Sequence, residues 1–498
     1  MSIRLSIMKG ASVLTVSQAV VAASTFFRNV IIARHIDTEQ YGIATTFALT
    51  VSLVEMTSNL ALDRVLVQDS EGDGDDMLGS AHLLQFIKGL LIAAVLFLIA
   101  TPVATIFGLP HLIGAFQLLA VVPALQGLMH FDFVVRQRQM EFFPTALYDA
   151  LPQILTLAIA FVAARVFDDY RVMLAVIIVQ SALYVLISHL LARRAYRWTM
   201  NWRLARRKLE FGWPLLVNGF LMFGIFQGDR VIIGTQYDMH TLGWYSVAFS
   251  LCMLPTLIFA KMSGYLLMPI LSRNREQGPV YAQCCDFTLI ACFCFALFMV
   301  TFFAVAGTAL IHLSFGEQYL DAASVMLWLA IMQALRIVRI APSVIANSQA
   351  RTKNAMYANI FRCTALLLAM GLALRGQPVA WIAASGIVGE CLALCVSVYL
   401  VELGSHKKKF VEKLAQLAIC AGALVTMVVF LADGLGPAAT IVGNLVTVLT
   451  GAAVAALAAV LLGLSQRAVR AEGLRLWRFA RGSSSVSRRP LAIEKQNS

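Results

Sequence analysis

The chain has 498 residues, of which 59% are hydrophobic and only 13% charged, and its formal net charge is +12. A soluble domain of this size carries about 25% charged residues. The deficit here extends along the chain, which excludes a soluble enzyme or a soluble nucleic-acid-binding protein.

A helix crossing the hydrocarbon core needs about 20 mostly apolar residues. Stretches of that kind predict an all-α transmembrane protein of about fourteen helices. They lie at 11–33, 42–63, 80–102, 112–132, 144–164, 172–192, 213–235, 243–270, 283–313, 321–347, 355–374, 379–401, 412–431 and 440–464. The first stretch follows Arg4 and Lys9 but runs to residue 33 and lacks an A-x-A-like cleavage site, so it reads as a spanning helix and not as a signal peptide. Tight connections such as Arg34–Tyr41, Arg165–Arg171 and Arg375–Pro378 alternate with longer, basic ones.

Basic loops orient such a chain. With the N-terminus inside, 28 of the 39 Lys and Arg residues fall in inside segments, and the outside loops hold only Arg34, Arg165, Arg171 and Arg375. This predicts a multi-pass membrane protein with both termini cytoplasmic. One inside loop dissents with Asp69, Glu71, Asp73, Asp75 and Asp76, but acidic residues contribute little to orientation.

Midway, residues 193–213 combine seven cations with Tyr196, Trp198, Trp202 and Trp213. Two readings fit: a basic inside linker, or a segment lying on an anionic leaflet. The segment divides the chain where an internal repeat divides it too. Val30-Ile31-Ile32 recurs as Val231-Ile232-Ile233, Asp37 as Asp238 and Gly42 as Gly243, all at one offset. Both copies sit at the end of one span and the start of the next. The expected organisation is an N-terminal lobe of six helices over 1–200, a C-terminal lobe of six over 201–402, two appended helices over 403–464 and a basic cytoplasmic tail over 465–498. Repeats of this kind place a transport pathway between the halves.

Seven cations fall inside spans: Arg28, Lys88, Arg230, Lys261, Arg336, Arg339 and Arg362. Each costs about 2.5–3.5 kcal/mol at a helix centre on insertion scales and turns toward the bundle interior or water. The deep acids are fewer, namely Glu55, Asp149, Asp229 and Glu390. An interior that is net positive favours an anionic cargo. Ser52, Glu55, Asn59 and Asp63 form one helical stripe, Gln333, Arg336, Ser343 and Asn347 another, and Gln18, Thr25, Arg28 and Asn29 give the first span a polar side. The candidate cavity residues are Arg28, Asn29, Glu55, Asn59, Asp229, Arg230, Lys261, Arg336, Arg339 and Arg362. The competing reading for each charge is a structural ion pair or snorkelling, favoured for Lys88 near an inner end. Pro123, Pro255, Pro269 and Pro342 interrupt spans, as hinges or as tolerated kinks.

Soluble chemistry is absent from the sequence. There is no G-x-x-x-x-G-K-[ST], no H-E-x-x-H and no outer loop long enough for a glycosyltransferase or polymerase site. The nine cysteines sit mainly in apolar runs without a C-x-x-C pair, as small hydrophobes do. No enzyme activity, metal or bound cofactor is expected.

The run from Arg28 to Gly42, RNVIIARHIDTEQYG, resembles the opening of bacterial polysaccharide transporters of the Wzx type. Pro269-Ile270-Leu271-Ser272-Arg273 resembles that family's P-x-L-S-R, and Phe315-Gly316-Glu317-Gln318-Tyr319 its FGxxYxxA. His35-Ile36-Asp37-Thr38 departs from the family, where a proline is common. The resemblance covers residues 10–465. It implies membership of the multidrug/oligosaccharidyl-lipid/polysaccharide exporter superfamily and export of an undecaprenyl-diphosphate-linked repeat unit, coupled to a proton or sodium gradient or to membrane potential. The implied partners are the lipid-linked anionic oligosaccharide, membrane lipids, and polysaccharide polymerase and chain-length proteins, with no nucleic acid. The alternatives are a multidrug exporter of the same superfamily, a membrane glycosyltransferase or polymerase, and a scaffold for a polysaccharide synthesis complex.

Overall fold

The computed structural model describes residues 3–58, 62–68, 74–200, 202–276, 278–351, 353–432 and 440–465. Among them the regular structure is helical throughout. Asn59, the loop acids Asp69, Glu71 and Asp73, and the basic tail from Arg467 onward lie outside the described residues.

In chain order the helices are α1 (Ile3–His35), α2 (Thr38–Thr57), α3 (Leu62–Gln68), α4 (Asp75–Ile106), α5 (Ile113–Leu118), α6 (Val121–Gln126), α7 (Asp132–Arg138), α8 (Phe143–Ala163) and α9 (Arg171–Leu191). The second half continues with α10 (Trp202–Gln236), α11 (Met239–Arg273), α12 (Gly278–Ser314), α13 (Ala323–Ser348), α14 (Lys353–Leu374), α15 (Val379–Leu400), α16 (Lys407–Ala432) and α17 (Ile441–Ser465).

Among the described residues, eleven of the expected spans are long and apolar enough to cross a membrane by length and composition. The other three are α2, α10 and the broken run Pro110–Gln126, which contains α5 and α6. Polarity lowers the signal in the first two: α2 carries five threonines and Glu55, and α10 carries Gln227, Asp229 and Arg230. Backbone groups in hydrocarbon must be satisfied within the segment, which is why each apolar run resolves as helix.

The repeat is visible in the packing. In the first half α1 packs on α8 and α8 on α9; in the second, α10 packs on α14 and α14 on α15. Likewise α4 lies on α5 and α6 as α12 lies on α13, and α6 meets α9 as α13 meets α15. The last two helices, α16 and α17, both pack on α12.

The halves meet where α2 crosses α11. A Cβ at Gly42 would lie 1.8 Å from the carbonyl oxygen of Met239, and a Cβ at Gly243 would lie 2.1 Å from that of Thr38. Each helix begins on an aspartate: Asp37 accepts the Gln40 N–H at 2.7 Å, and Asp238 accepts the Thr241 N–H at 2.7 Å. The side-chain oxygen satisfies a donor that the first turn leaves free. The repeated Val-Ile-Ile precedes the caps, and Ile32 and Ile233 are fully buried. The short repeat motif is therefore the seam between the halves.

The end of the bundle that carries few cations is sealed. There Arg34 donates to the carbonyl of Ser314 at 2.7 Å, Gln318 donates to those of Ala33 and Ile36 at 3.0 and 3.1 Å, and Tyr41 meets Tyr319 edge to face. At the opposite, basic end, α10 closes on α2, with Gly219 against the Met56 carbonyl.

The linker after α9 is held at this basic end. One nitrogen of His82 meets the Arg197 carbonyl at 3.2 Å, and its other accepts the Phe131 N–H. His130 repeats the arrangement with the Arg194 carbonyl at 3.1 Å and the Asp132 N–H. A carbonyl only accepts and a backbone N–H only donates, so each ring serves as donor on one nitrogen and acceptor on the other. Tyr196 stacks on His82, and Trp198 stacks on Phe86 of α4. A satellite core of Leu62, Leu66, Met77, Phe131 and Val135 lies nearby.

Candidate substrate cavity

Between the halves lies a cavity of about 250 Å³. α1 contributes Arg28 and Asn29, α2 contributes Ser52 and Glu55, α9 contributes Gln180, and α10 contributes Arg230. Wherever a helix in lipid carries a polar stripe, that stripe turns inward because hydrocarbon offers it no partner.

Neutral groups hold the two guanidiniums. Arg28 donates to Gln180 Oε1 at 2.6 Å and to Gln153 Oε1 at 3.4 Å, while Gln153 in turn donates to the Tyr184 hydroxyl at 3.0 Å. Arg230 donates to Gln227 Oε1 and stacks 4.5 Å over the Phe249 ring, and Gln227 donates to Ser52 on α2 at 3.1 Å. Amides orient a guanidinium without neutralising it. Glu55, on the same wall, accepts from Gln126 at 2.9 Å.

Asp229 does not neutralise its neighbour Arg230 by a described ion pair. Its two oxygens accept the Tyr245 hydroxyl at 2.8 Å and the Arg230 backbone N–H at 2.8 Å. Lys261 stands apart, toward the basic end. It donates to Gln18 Oε1, and the Gln18 amide donates to Asp149 Oδ2 at 3.0 Å. One glutamine thus links a carboxylate on α8 to an ammonium on α11.

The remaining three candidate cations, Arg336, Arg339 and Arg362, gather inside the second half. Glu390 on α15 has no exposed surface and receives three arginines: Arg336 at 2.8 Å, Arg362 at 2.6 Å and Arg339 at 3.3 Å. Arg336 and Arg362 also lie over the Phe226 ring at 5.2 and 5.5 Å. Ion pairs this deep hold because removing one partner would strand the others in a dry interior.

The ten candidate residues therefore occupy separate places. Arg28, Asn29, Glu55 and Arg230 share the central cavity; Asp229 adjoins Arg336 and Arg362 in the second half, with Arg339 close by; Lys261 bridges at the basic end; Asn59 is outside the described residues. The glutamines at 18, 153, 180 and 227 organise every one of the cavity and bridge cations. A scan for charge passes over them, although a glutamine inside an apolar span carries the same desolvation cost argument.

Residues 31–324 match a family model described as "Polysaccharide biosynthesis protein". Among solved structures, the chain is similar to the lipid II flippase MurJ in an inward closed conformation, with a TM-score of 0.71 at 13% identity, covering 91% of this chain and 99% of that one. An inward-facing multidrug resistance MATE family transporter of the MOP superfamily matches with a TM-score of 0.53 at 14% identity over 78% of this chain and 96% of that one. The eukaryotic MATE transporter AtDTX14 matches with a TM-score of 0.52 at 16% identity over 82% and 98%. At these identities the likeness is one of fold. No curated protein matches the chain.

Proposed function

The chain belongs to the polysaccharide biosynthesis protein family, and from that premise we propose that it is a flippase for an undecaprenyl-diphosphate-linked oligosaccharide. It moves the repeat unit from the cytoplasmic to the periplasmic leaflet of the bacterial inner membrane, for exopolysaccharide, capsule or O-antigen assembly. The observation that carries this reading is the pair Arg28 and Arg230, one from each half, facing one cavity and held by amides. A diphosphate entering such a cavity sheds water and requires compensating cations. A guanidinium supplies paired donors to phosphate oxygens.

The cycle proceeds by alternating access. The basic end faces the cytoplasm, and both termini lie there. Rocking of the halves about the α2–α11 crossing exposes the cavity to either side. The bridge from Asp149 through Gln18 to Lys261 breaks when the basic end opens. A proton or sodium gradient, or membrane potential, drives return. Polymerase and chain-length proteins receive the product. The chain performs no covalent chemistry.

A drug-exporter reading draws on one feature, Glu55 in the same cavity. Two guanidiniums against one carboxylate favour the anion. The test is a clean deletion of the gene. Lipid-linked repeat units should accumulate on the inner leaflet while surface polysaccharide disappears, and identification of that lipid names the cargo. Undisturbed surface polysaccharide in the deletion, with unchanged lipid-linked intermediates, would defeat the proposal.

A further inference from the structure

The cluster around Glu390 is out of charge balance. All three arginines reach that carboxylate through Nε, which leaves their terminal nitrogens to find other partners. Arg362 Nη2 reaches the Ile225 carbonyl at 3.4 Å. Arg336 Nη1 is buried and has no hydrogen-bond partner. Both residues are more than nine-tenths buried, at 7% exposure for Arg336 and 6% for Arg362. A buried guanidinium nitrogen without an acceptor is costly, more so than a neutral donor.

A void of about 40 Å³ adjoins these groups, lined by Arg336, Arg362, Asp229, Tyr245, Ser385 and Gly386 among others. Asp229 is the second acid nearby, but its oxygens already accept from Tyr245 and from the Arg230 backbone. Arg230 itself lies over Phe249, which also lines the void. Three guanidiniums thus share one carboxylate, with Asp229 the only second acid lining the void among the described residues.

We propose that the void between Arg336 and Arg362 is a binding site for a small monovalent anion of halide size, chloride under cellular conditions. Its charge offsets part of the surplus, and its lone pairs accept from the guanidinium groups of Arg336 and Arg362 that line the void. Water would satisfy the donor but not the charge. A water-sized body needs about 10–15 Å³ of such volume, so 40 Å³ admits a halide and excludes a diphosphate or a sugar ring. The site is therefore separate from the cargo path. Through Glu390 and its arginines it ties α13, α14 and α15 together, and through Asp229 it adjoins α10.

The test uses the full chain purified in detergent. Thermal unfolding is followed while sodium gluconate is replaced by sodium chloride or bromide at constant ionic strength. A ligand that binds only the folded state raises the midpoint in a saturable way. The expected result is such a rise with chloride and bromide, and its loss in Arg336→Gln. Crystals grown with bromide should show an anomalous peak between Arg336 and Arg362 of the unaltered protein, which decides the matter if the variant does not fold. Coincident gluconate and halide curves without a bromide peak there, or a saturable rise that survives Arg336→Gln, would overturn the site. Neither readout depends on transport, so the anion site and the flippase reading stand or fall separately.

Discussion

Gly42 and Gly243 make the same contact from opposite sides. Each glycine sits against the first-turn carbonyl of the other's helix, Met239 for Gly42 and Thr38 for Gly243. The residue offset between the glycines equals that between the carbonyls, so the contact is reciprocal, as in an isologous interface. Backbone carbonyls in a capped helix have no freedom to retreat. Gly42→Ala and Gly243→Ala should each destabilise the protein by about 1–3 kcal/mol, the usual cost of overpacking, and by similar amounts. Gly264→Ala, where an added Cβ meets nothing within 4 Å, should be neutral. Thermal unfolding of the three purified variants checks this.

Glu390 is the shared anion of three buried arginines. Glu390→Gln should lower the folded amount in the membrane sharply, because breaking a buried pair costs about 3–5 kcal/mol. Adding Arg362→Gln to Glu390→Gln should restore part of the loss. Fluorescence-detected size-exclusion chromatography of the single and double variants measures both effects.

Much of this was legible in the sequence, for physical reasons that also mark its limit. Hydrophobic length places the spans because lipid demands it, and the repeat of Asp37 and Gly42 as Asp238 and Gly243 marks the seam. The charge scan groups Arg28 with Arg336, since both are cations deep in apolar helices. What separates them is the partner: amides on α8 and α9 for Arg28, a carboxylate on α15 for Arg336. Partners that lie more than 50 residues away leave no periodicity in the chain. The span expected over 112–132, with Pro123 as an interruption, is broken at Leu119–Ala120 between α5 and α6, just before that proline.

The linker should loosen in acid. His130 lies in the turn after α6, and burial pushes its imidazole below the usual value, an effect only partly offset by its bond to the Arg194 carbonyl. The groups facing it are His82, His189, Tyr196, Asp132 and Arg194, with Asp75 behind Arg194. A depressed histidine stabilises the folded state fully above its ordinary value of about 6.5. That contribution is lost as pH falls below 6.5, because the unfolded form takes up the proton first. Protonation also sets an N–H against the Asp132 N–H. Cleavage of the 192–200 segment by added protease should accelerate between pH 6.5 and 5 in the native protein. In His130→Gln this acceleration should be reduced.

The most direct test of the account is transport by the purified protein. Proteoliposomes holding a fluorescent undecaprenyl-diphosphate oligosaccharide report the fraction of lipid reaching the opposite leaflet over time. A hydrogen bond to a charged group contributes about 1.5–3 kcal/mol, which corresponds to about ten- to a hundredfold in rate. The account predicts movement by the unaltered protein, and a loss of at least about tenfold in the Arg28→Gln, Arg230→Gln double variant at equal reconstituted amount. Movement at the unaltered rate by that double variant would contradict a cavity that works by presenting these two guanidiniums to a diphosphate.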